Sequence, residues 1–559
     1  MFGRESKPCK VYEYGCLQPV AGEEILIEEM HRRQKLWNKL VEIERAHREK
    51  VREILVVPDD PVTPLMDRLK ELRNQIKLAR KKERTGKVDV TTLQGQAREL
   101  REQIATAKMQ RNEAKKLARE SNKGALDQLE KERREVVKAA TKASGLYWVN
   151  AEEVRNNYEI ARRRAMRDKT ELKFHRWDGT GKVTVRWQKG LAIPGAFESD
   201  TRMQIDPVPV EAWEHSKRSV RRKKSRTKIR LRVTSDERKK PVWVKLPMVM
   251  HRPIPAESEI RCASIIREKV GRKYRYKAVI TATITNAFPL HGNGTIGIDL
   301  GWRQVKDGLR VAYWADDRGE HGQLLLEPEI LHEFNKLPDL RAIRDKHFNE
   351  IKSELSAWAA NNNKPDWLTE ELKTIKAWRS PGRLVALIFR WSVQRFEGDV
   401  EIYEKLEYWR KRENHLYDWE ANLRDQVHRR RREIYRIFAA DIIKKYGTVV
   451  LEDFDLRKVA RKKDPEEGTR GSLPMDKQRF IASVSELRLA IQNACARAGA
   501  AVYTVDAKYS TVECYECGHR ENFDASVKLM RTCPKCKKLW DQDYNAAINL
   551  LHRGLEVRK

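Results

Sequence analysis

At 559 residues the chain has room for several domains and a sizeable core, so it needs no disulfide staples. A formal charge of +33, with 35% charged residues, implies a polyanionic partner, and nucleic acid is the first choice because Lys and Arg displace counterions from phosphates. An anionic membrane surface is the other, but the longest uncharged apolar run, around Leu384 to Phe389, is too short to span a bilayer. Met1 to Lys10 is charged and no apolar stretch follows, so the sequence predicts a soluble, cytoplasmic protein.

In chain order, residues 8–20 read as a short strand ending at a proline, and Gly22 to Leu55 as a helix with Met30, Trp37, Leu40, Val41 and Ile43 on one side. After a Pro-rich break, Leu65, Leu69, Leu72, Ile76 and Ala79 recur at 4-3 spacing, as do Leu93, Ala97, Leu100, Ile104 and Ala107. That is the seam of an antiparallel helical hairpin turning near Arg84, with helix continuing to about Lys169. From Glu171 the pattern changes to period two. LKFHRWDGTGKVTVRWQ predicts a β-hairpin about Asp178–Gly181, and strand-like segments continue to about residue 286. Gly294 opens a third region: a buried strand (TIGIDLGW), a Trp-rich helical stretch from about 328 to 445, and a second buried strand (TVVLEDF). A basic loop, a helix over about 476–499, a strand (AAVYTVD), a cysteine cluster and a last helix follow.

The cluster C-x-x-C…C-x-x-C, formed by Cys514, Cys517, Cys533 and Cys536, has the spacing of a zinc ribbon, in which two knuckles each give two thiolates to one ion. It leaves no open coordination position, so the role is structural. Cys9, Cys16, Cys262 and Cys495 are scattered and read as unpaired thiols. Three acids stand out. Asp299 closes the apolar part of one strand, Glu452 ends another, and Asp543 begins the last helix. An ionised carboxylate at the end of a buried strand is costly unless it pairs or binds a cation. Three converging there would hold Mg²⁺ ions able to activate water for phosphodiester hydrolysis. By contrast, Gly292-Asn-Gly294-Thr-Ile-Gly297 matches a dinucleotide-binding fingerprint in letters only, because it precedes a strand instead of opening a helix.

Residues 217–232 are basic and free of acids. Lys217, Arg218, Arg221, Arg222, Lys223, Lys224, Arg226 and Lys228 are candidate contacts to an RNA backbone, and Arg429 and Arg430, in a helical HRRRR run, candidates for lining a heteroduplex channel. Trp177, Trp187, Trp213 and Trp243, in the strand-rich region, are expected in the core, with one or two free to stack on a base.

The strings GIDLG, VVLEDF, the paired C-x-x-C knuckles and DQDYNAAINL, in that order, resemble the RuvC-like nuclease of type V CRISPR effectors and of the related transposon-encoded RNA-guided nucleases. The resemblance is specific over residues 294–559 and architectural before that. GIDLGWR and GLRVAYW, with the total length, look most like the compact type V-M subtype. It implies a multidomain α+β protein: a helical recognition lobe (21–170), a β-barrel wedge domain (1–20 and 171–290), and an RNase H-like (RuvC) α/β domain (291–512 and 538–559) with a helical insertion and an inserted zinc ribbon (513–537). Asp299, Glu452 and Asp543 would be the catalytic carboxylates and Mg²⁺ ligands, with Asp541 a neighbour, and the four cysteines would hold a structural Zn²⁺. The implied partners are a guide RNA (crRNA) and target double-stranded DNA beside a T-rich flanking motif, bound by a monomer that forms an R-loop and silences with little or no cleavage. In such proteins a lid follows the second acidic strand. Here that loop begins Leu456-Arg-Lys-Val-Ala-Arg-Lys-Lys and turns acidic at Asp464, Glu466 and Glu467. An active RNA-guided endonuclease and an unguided nucleic-acid-binding or transposase-like protein are the alternative readings.

Overall fold

The computed structural model describes residues 9–55, 62–83, 90–193, 200–283, 292–453, 473–521, 523 and 529–558; the lid segment beginning at Leu456 and the turn near Arg84 lie outside them. The chain divides into two compact units, Val11–Glu268 with Tyr276–Ala282, and Thr283–Lys559 with Lys269–Arg275 and Met1–Lys10. Both mix helices and sheets, and no helix among the described residues is long and apolar enough to cross a membrane.

In the first unit, strand β1 (Cys9–Cys16) is followed by helices α1 (Glu23–Ile54), α2 (Val62–Glu83), α3 (Val90–Ser121), α4 (Lys123–Lys142) and α5 (Trp148–Arg167). The 4-3 repeat does what its spacing dictates: Leu69, Ile76 and Ala79 of α2 interlock with Ala97, Leu100 and Ile104 of α3. Leu36, Leu40 and Val41 of α1 pack on Val137 of α4 and on Val154 and Tyr158 of α5. The same interface buries charge, and each charge is matched. Glu44 takes hydrogen bonds from Tyr158 Oη (3.0 Å) and Arg162 Nε (2.7 Å), while Arg33 meets Glu153 at 3.0 Å.

The strands β2 (Gly181–Ala192) and β3 (Met203–Ile205), short helices α6 (Glu211–Glu214) and α7 (Arg218–Lys224), and strands β4 (Arg226–Ser235), β5 (Pro241–Val249), β6 (Glu259–Val270) and β7 (Lys273–Thr283) follow. The seven strands form one sheet in the order β2-β6-β7-β1-β5-β4-β3, so the N-terminal strand sits in its middle. Alternation sends Ile229, Leu231, Val233, Val244, Leu246 and Met248 into a single core shared with Tyr12, Tyr14, Val183 and Val185.

The expected hairpin about Asp178–Gly181 does not form. Residues 171–180 carry no strand, and β2 pairs with β6 instead. The reason lies on α1, whose side chains satisfy that backbone. Trp37 Nε1 donates to Lys173 O (3.0 Å), Asn38 Nδ2 donates to His175 O (3.0 Å), and Asn38 Oδ1 accepts from His175 N (2.8 Å). The aromatics of the segment stack on the same helix, His175 on Trp37 and Trp177 on His31, each at 4.6 Å. The alternation was real but served a helix face.

The second unit contains β8 (Gly294–Val305), β9 (Gly308–Asp316), β10 (His321–Leu326), α8 (Pro328–Asn361), α9 (Asp366–Leu372), α10 (Pro381–Val393), α11 (Val400–Lys445), β11 (Tyr446–Asp453), α12 (Leu473–Ala482), α13 (Val484–Ala498), β12 (Ala501–Asp506), β13 (Met530–Thr532), β14 (Leu539–Asp541) and α14 (Gln542–Arg558). Its main sheet has the order β10-β9-β8-β11-β12, antiparallel from β10 to β8 and parallel from β8 to β12. Strand alternation separates two faces. Ile296, Ile298, Val449 and Leu451 enter a core with α11 and α13, while Val450 and Val505 meet Leu550 of α14 on the other side. Trp378, Trp391 and Trp409 fill a separate core among α8 to α11.

The expected helix over 476–499 is two helices, broken at Ser483, which adopts a left-handed conformation (φ 42°). The last carbonyls of α12 are capped from α11: Arg431 Nη1 donates to Phe480 O (3.1 Å) and Ile481 O (2.7 Å), and Tyr435 Oη to Ala482 O. Arg431, the third arginine of the HRRRR run, is therefore buried structure rather than free surface.

Gly297 explains how closely α14 seats on the sheet, since a Cβ there would run into Ala547 O and the backbone of Leu551. Gly297→Ala is expected to destabilise the fold by roughly 1–3 kcal/mol through this overpacking, measured by denaturant unfolding. An unchanged midpoint would mean that the helix does not lie this close.

Candidate functional site

The parity of the strands decides what α14 covers. Gly297 and Asp299 share a face of β8, as do Val450 and Glu452 on β11, and that is the face on which α14 lies. Leu451 is the parallel partner of Ile298, so Glu452 follows beside Asp299. The strand does not end at Asp299 as its apolar run suggested. β8 continues to Val305 and turns back into β9, pairing Asp299 with Tyr313 and, past a register irregularity, Arg303 with Arg310.

Asp543 arrives from the first turn of α14. Asp541 caps that helix, its Oδ1 accepting from the backbone N–H groups of Asp543 (2.8 Å) and Tyr544 (3.4 Å). Neither carboxylate is left to its neighbours alone. Arg310 Nη1 lies 2.8 Å from Asp543 Oδ2 and 2.9 Å from Asp541 Oδ2, and Arg303 Nε is 3.2 Å from Asp543 Oδ2. Arg310 is further fixed by Gln323 Oε1 (2.7 Å) and packs over the Tyr313 ring (5.0 Å). Burial disfavours its charge, but the bonds to Asp543 and Asp541 outweigh that and raise its pKa.

The electrostatics follow. Burial first, then repulsion from Glu452 and Asp543, holds the Asp299 carboxyl well above the usual carboxylate range, against the pull of Arg303. Glu452, 7% exposed, is pushed up to about 7 by burial, opposed by Arg488. Among the described residues, the acids do not draw together as a complete cation cage; only Cys514, Cys517, Cys533 and Cys536 bring all their ligand atoms within 4.8 Å of one another. Three converging carboxylates do not fit a pair of Mg²⁺ ions while two guanidinium groups occupy Asp543. Sequence reasoning missed Arg303 and Arg310. The signal was present in GLRVAYW, where a cation interrupts a run of buried strand residues.

The cysteines are built as two matching knuckles. Cys514 N donates to His519 O and Cys533 N to Lys538 O, both at 2.9 Å, with Gly518 and Lys537 in left-handed conformations (φ 68° and 62°). The Sγ atoms of Cys514 and Cys536 are 3.7 Å apart, and those of Cys517 and Cys533 3.6 Å. A tetrahedron with Zn–S bonds of about 2.3 Å has edges of about 3.8 Å, so the cage fits zinc. Burial pushes the Cys533 thiol up, but backbone N–H groups of Cys536 and Lys535 aimed at its sulfur bring it down to about 6. The cage is tied to the acids through α14. Asn545 Nδ2 donates to Ser510 O (3.0 Å) and Glu513 O (2.8 Å), its Oδ1 accepts from Tyr515 N (2.9 Å), and Asn549 Nδ2 donates to Ser510 O (2.8 Å) and Glu513 O (2.7 Å).

The basic candidates separate. Lys217, Arg218, Arg222, Lys223, Lys224, Arg226 and Lys228 are exposed on α7 and β4, with Arg221 partly buried. Arg429 and Arg430 are exposed but engaged, with Asp425 (2.8 Å) and Glu333 (3.3 Å). Trp187 is core, Trp177 and Trp213 pack against it, and Trp213 Nε1 donates to Met250 O (2.6 Å).

The sequence has close relatives. A CRISPR-associated DNA-binding protein Cas12m from Thermanaerosceptrum fracticalcis is 49% identical over 550 residues, covering 96% of this chain and 92% of that protein. The chain belongs to the Cas12m family. A second Cas12m, from Allomeiothermus silvanus, is 34% identical over 565 residues, covering 100% and 99%. The domain family described as Cas12f1-like, TNB domain, matches residues 485–550, which span α13, β12 and the cysteine cage. Among solved structures, the Cas12f1–sgRNA–target DNA complex aligns with 97% of this chain and 98% of its own at 14% identity, with a TM-score of 0.43. The type V-M resemblance of the sequence is thus borne out.

Two outcomes follow from this geometry. Metal analysis of the purified protein is expected to find about one zinc per chain, and Cys533→Ser to lose it and open residues 510–541 to proteolysis; a zinc-free, protease-resistant wild type would contradict the cage. The second concerns Glu452, whose raised pKa makes the folded state favour the protonated form. Its contribution is fully present below the unfolded carboxylate pKa and is lost as pH rises through about 7. Glu452→Gln should therefore raise Tm at about pH 8, without added divalent cations, and change it little at about pH 5. Equal shifts at both values in scanning calorimetry would refute this.

Proposed function

We propose that this protein is a type V-M CRISPR effector that binds a guide RNA, uses it to recognise double-stranded DNA beside a short T-rich flanking motif, and silences the target by holding an R-loop instead of cutting it. The observation that carries this reading is family membership along nearly the whole chain, together with a charge of +33 suited to phosphate backbones. Base pairing by the guide supplies sequence specificity, and the protein supplies charge and shape.

On this reading the helices α1 to α5 form the recognition lobe, and the seven-stranded sheet is the wedge domain, curled as a barrel. Its shared core supports that, as does Arg202 Nη1 donating to Arg186 O (2.6 Å), which links β2 to the segment leading into β3. The β10-β9-β8-β11-β12 sheet with α14 is the RuvC-like (RNase H-like) domain, and the cage is a zinc ribbon inserted before its last helix. Asp299, Glu452 and Asp543 are its acidic centre. Their chain order, and the strand face that Asp299 and Glu452 share beneath α14, support the assignment, and the arginines on Asp543 accord with a centre that does not cut. The exposed residues of α7 and β4, from Lys217 to Lys228, contact the guide RNA backbone.

The test reconstitutes the full chain with its repeat-derived guide RNA and a matching duplex in Mg²⁺. Tight, guide-dependent binding with no cleavage products is expected. The variant Arg222→Glu/Lys223→Glu/Lys224→Glu should bind guide RNA more weakly, with a salt dependence shallower by roughly one unit for each lost phosphate contact. Accumulating cut DNA would overturn silencing by binding, and guide-independent binding would overturn the RNA-guided reading altogether.

A further inference from the structure

Arg303 and Arg310 are direct cross-strand partners on β8 and β9, and both guanidinium groups reach one oxygen, Asp543 Oδ2, at 3.2 and 2.8 Å. Surface chance does not explain the pair. Arg310 is 7% exposed and is held by Gln323, Asp541, Asp543 and the Tyr313 ring, drawn from β9, β10 and the start of α14. A buried guanidinium with that many charge-assisted bonds is a fixed part of the fold. Its Nη1 already engages the Asp543 oxygen that a shared divalent ion would compete for, and a cation beside another cation without an intervening acid is strongly disfavoured.

We propose that the Arg303–Arg310 pair is a built-in substitute for one of the two cations of this acidic centre, so that the centre takes a single divalent ion, at Asp299 and Glu452. This rests on the reading of that centre as RuvC-like. It assigns a chemical cause to binding without cutting: Asp543 is present by residue type but already neutralised. The guanidinium groups also remove the need for metal to hold α14 against the sheet. Asp543 is then an anchor for the helix rather than a metal ligand.

Counting bound Mn²⁺ by electron paramagnetic resonance, on the full-length, zinc-loaded chain stripped of nucleic acid, tests this without any activity assay. Wild type is expected to bind one ion, and Asp543→Asn to leave that count and its affinity within about twofold. Arg303→Gln/Arg310→Gln should gain a second ion, and Arg303→Gln alone, which removes the 3.2 Å contact and leaves Arg310 in place, serves where the double variant fails to fold. Two ions in wild type, or a loss of affinity of about tenfold or more in Asp543→Asn, would overturn the substitution while leaving the acidic centre standing. No bound ion in wild type would overturn the RuvC-like reading and the substitution with it.

Discussion

Asp299 is buried beside Glu452, Asp543 and Asp541 where α14 begins over the sheet, and accommodating that buried acid is the constraint on which the site depends: burial first, then repulsion from its neighbours, holds its carboxyl well above the usual range. Like charges in a partly desolvated site must be protonated, paired or metallated. This chain uses the first two routes at different positions. Glu452 and Asp299 shift upward, and Asp541 and Asp543 are paired with arginine. The division follows the elements. The two acids on strands β8 and β11 follow directly on apolar core residues and are held by burial, whereas the two at the helix start face the β8–β9 hairpin that carries both arginines.

The cysteine cage adds a second grip on the same helix. Asn545 and Asn549, within the two turns that follow Asp543, spend their amide groups on backbone carbonyls of residues 510–513. The segment that leads into the cage and the helix that presents the acid are therefore held together by these four bonds. Gly297 completes the arrangement from below by letting the helix backbone approach β8. The cysteine cage is tied to the helix through two asparagines that the motif DQDYNAAINL displayed without revealing their use.

Much of this was legible in the sequence where one physical demand governs one segment. The 4-3 seam of α2 and α3 was readable because interlocking side chains admit no other spacing, and the cage because tetrahedral thiolate ligation fixes Cys spacing. Glu452 and Asp543 were readable at a strand end and a helix start, whereas Asp299 lies in mid-strand because β8 runs on to Val305. What was not legible depended on partners distant in the chain. Residues 171–180 alternate like a strand, yet their backbone is claimed by Trp37 and Asn38 of α1, more than a hundred residues earlier. The break at Ser483 depends on Arg431 and Tyr435 capping α12 from another helix. The basic run HRRRR divided for the same reason, because one arginine met carbonyls and others met acids.

Arg310 belongs to that second class, and it carries the most consequence. Within GLRVAYW it reads as an oddity, a charge in a buried strand, and its meaning appears only when α14 delivers Asp541 and Asp543. The pairing separates two properties that residue types alone would merge, having an acidic triad and being able to fill it with metal. An exposed acid cluster would repel a nucleic-acid strand until cations arrived, whereas guanidinium groups already in place soften that repulsion at no cost in free ion. A chain of net charge +33 then presents less interruption to a bound strand at this acidic centre, which is the electrostatic arrangement that holding a target requires and cutting it does not.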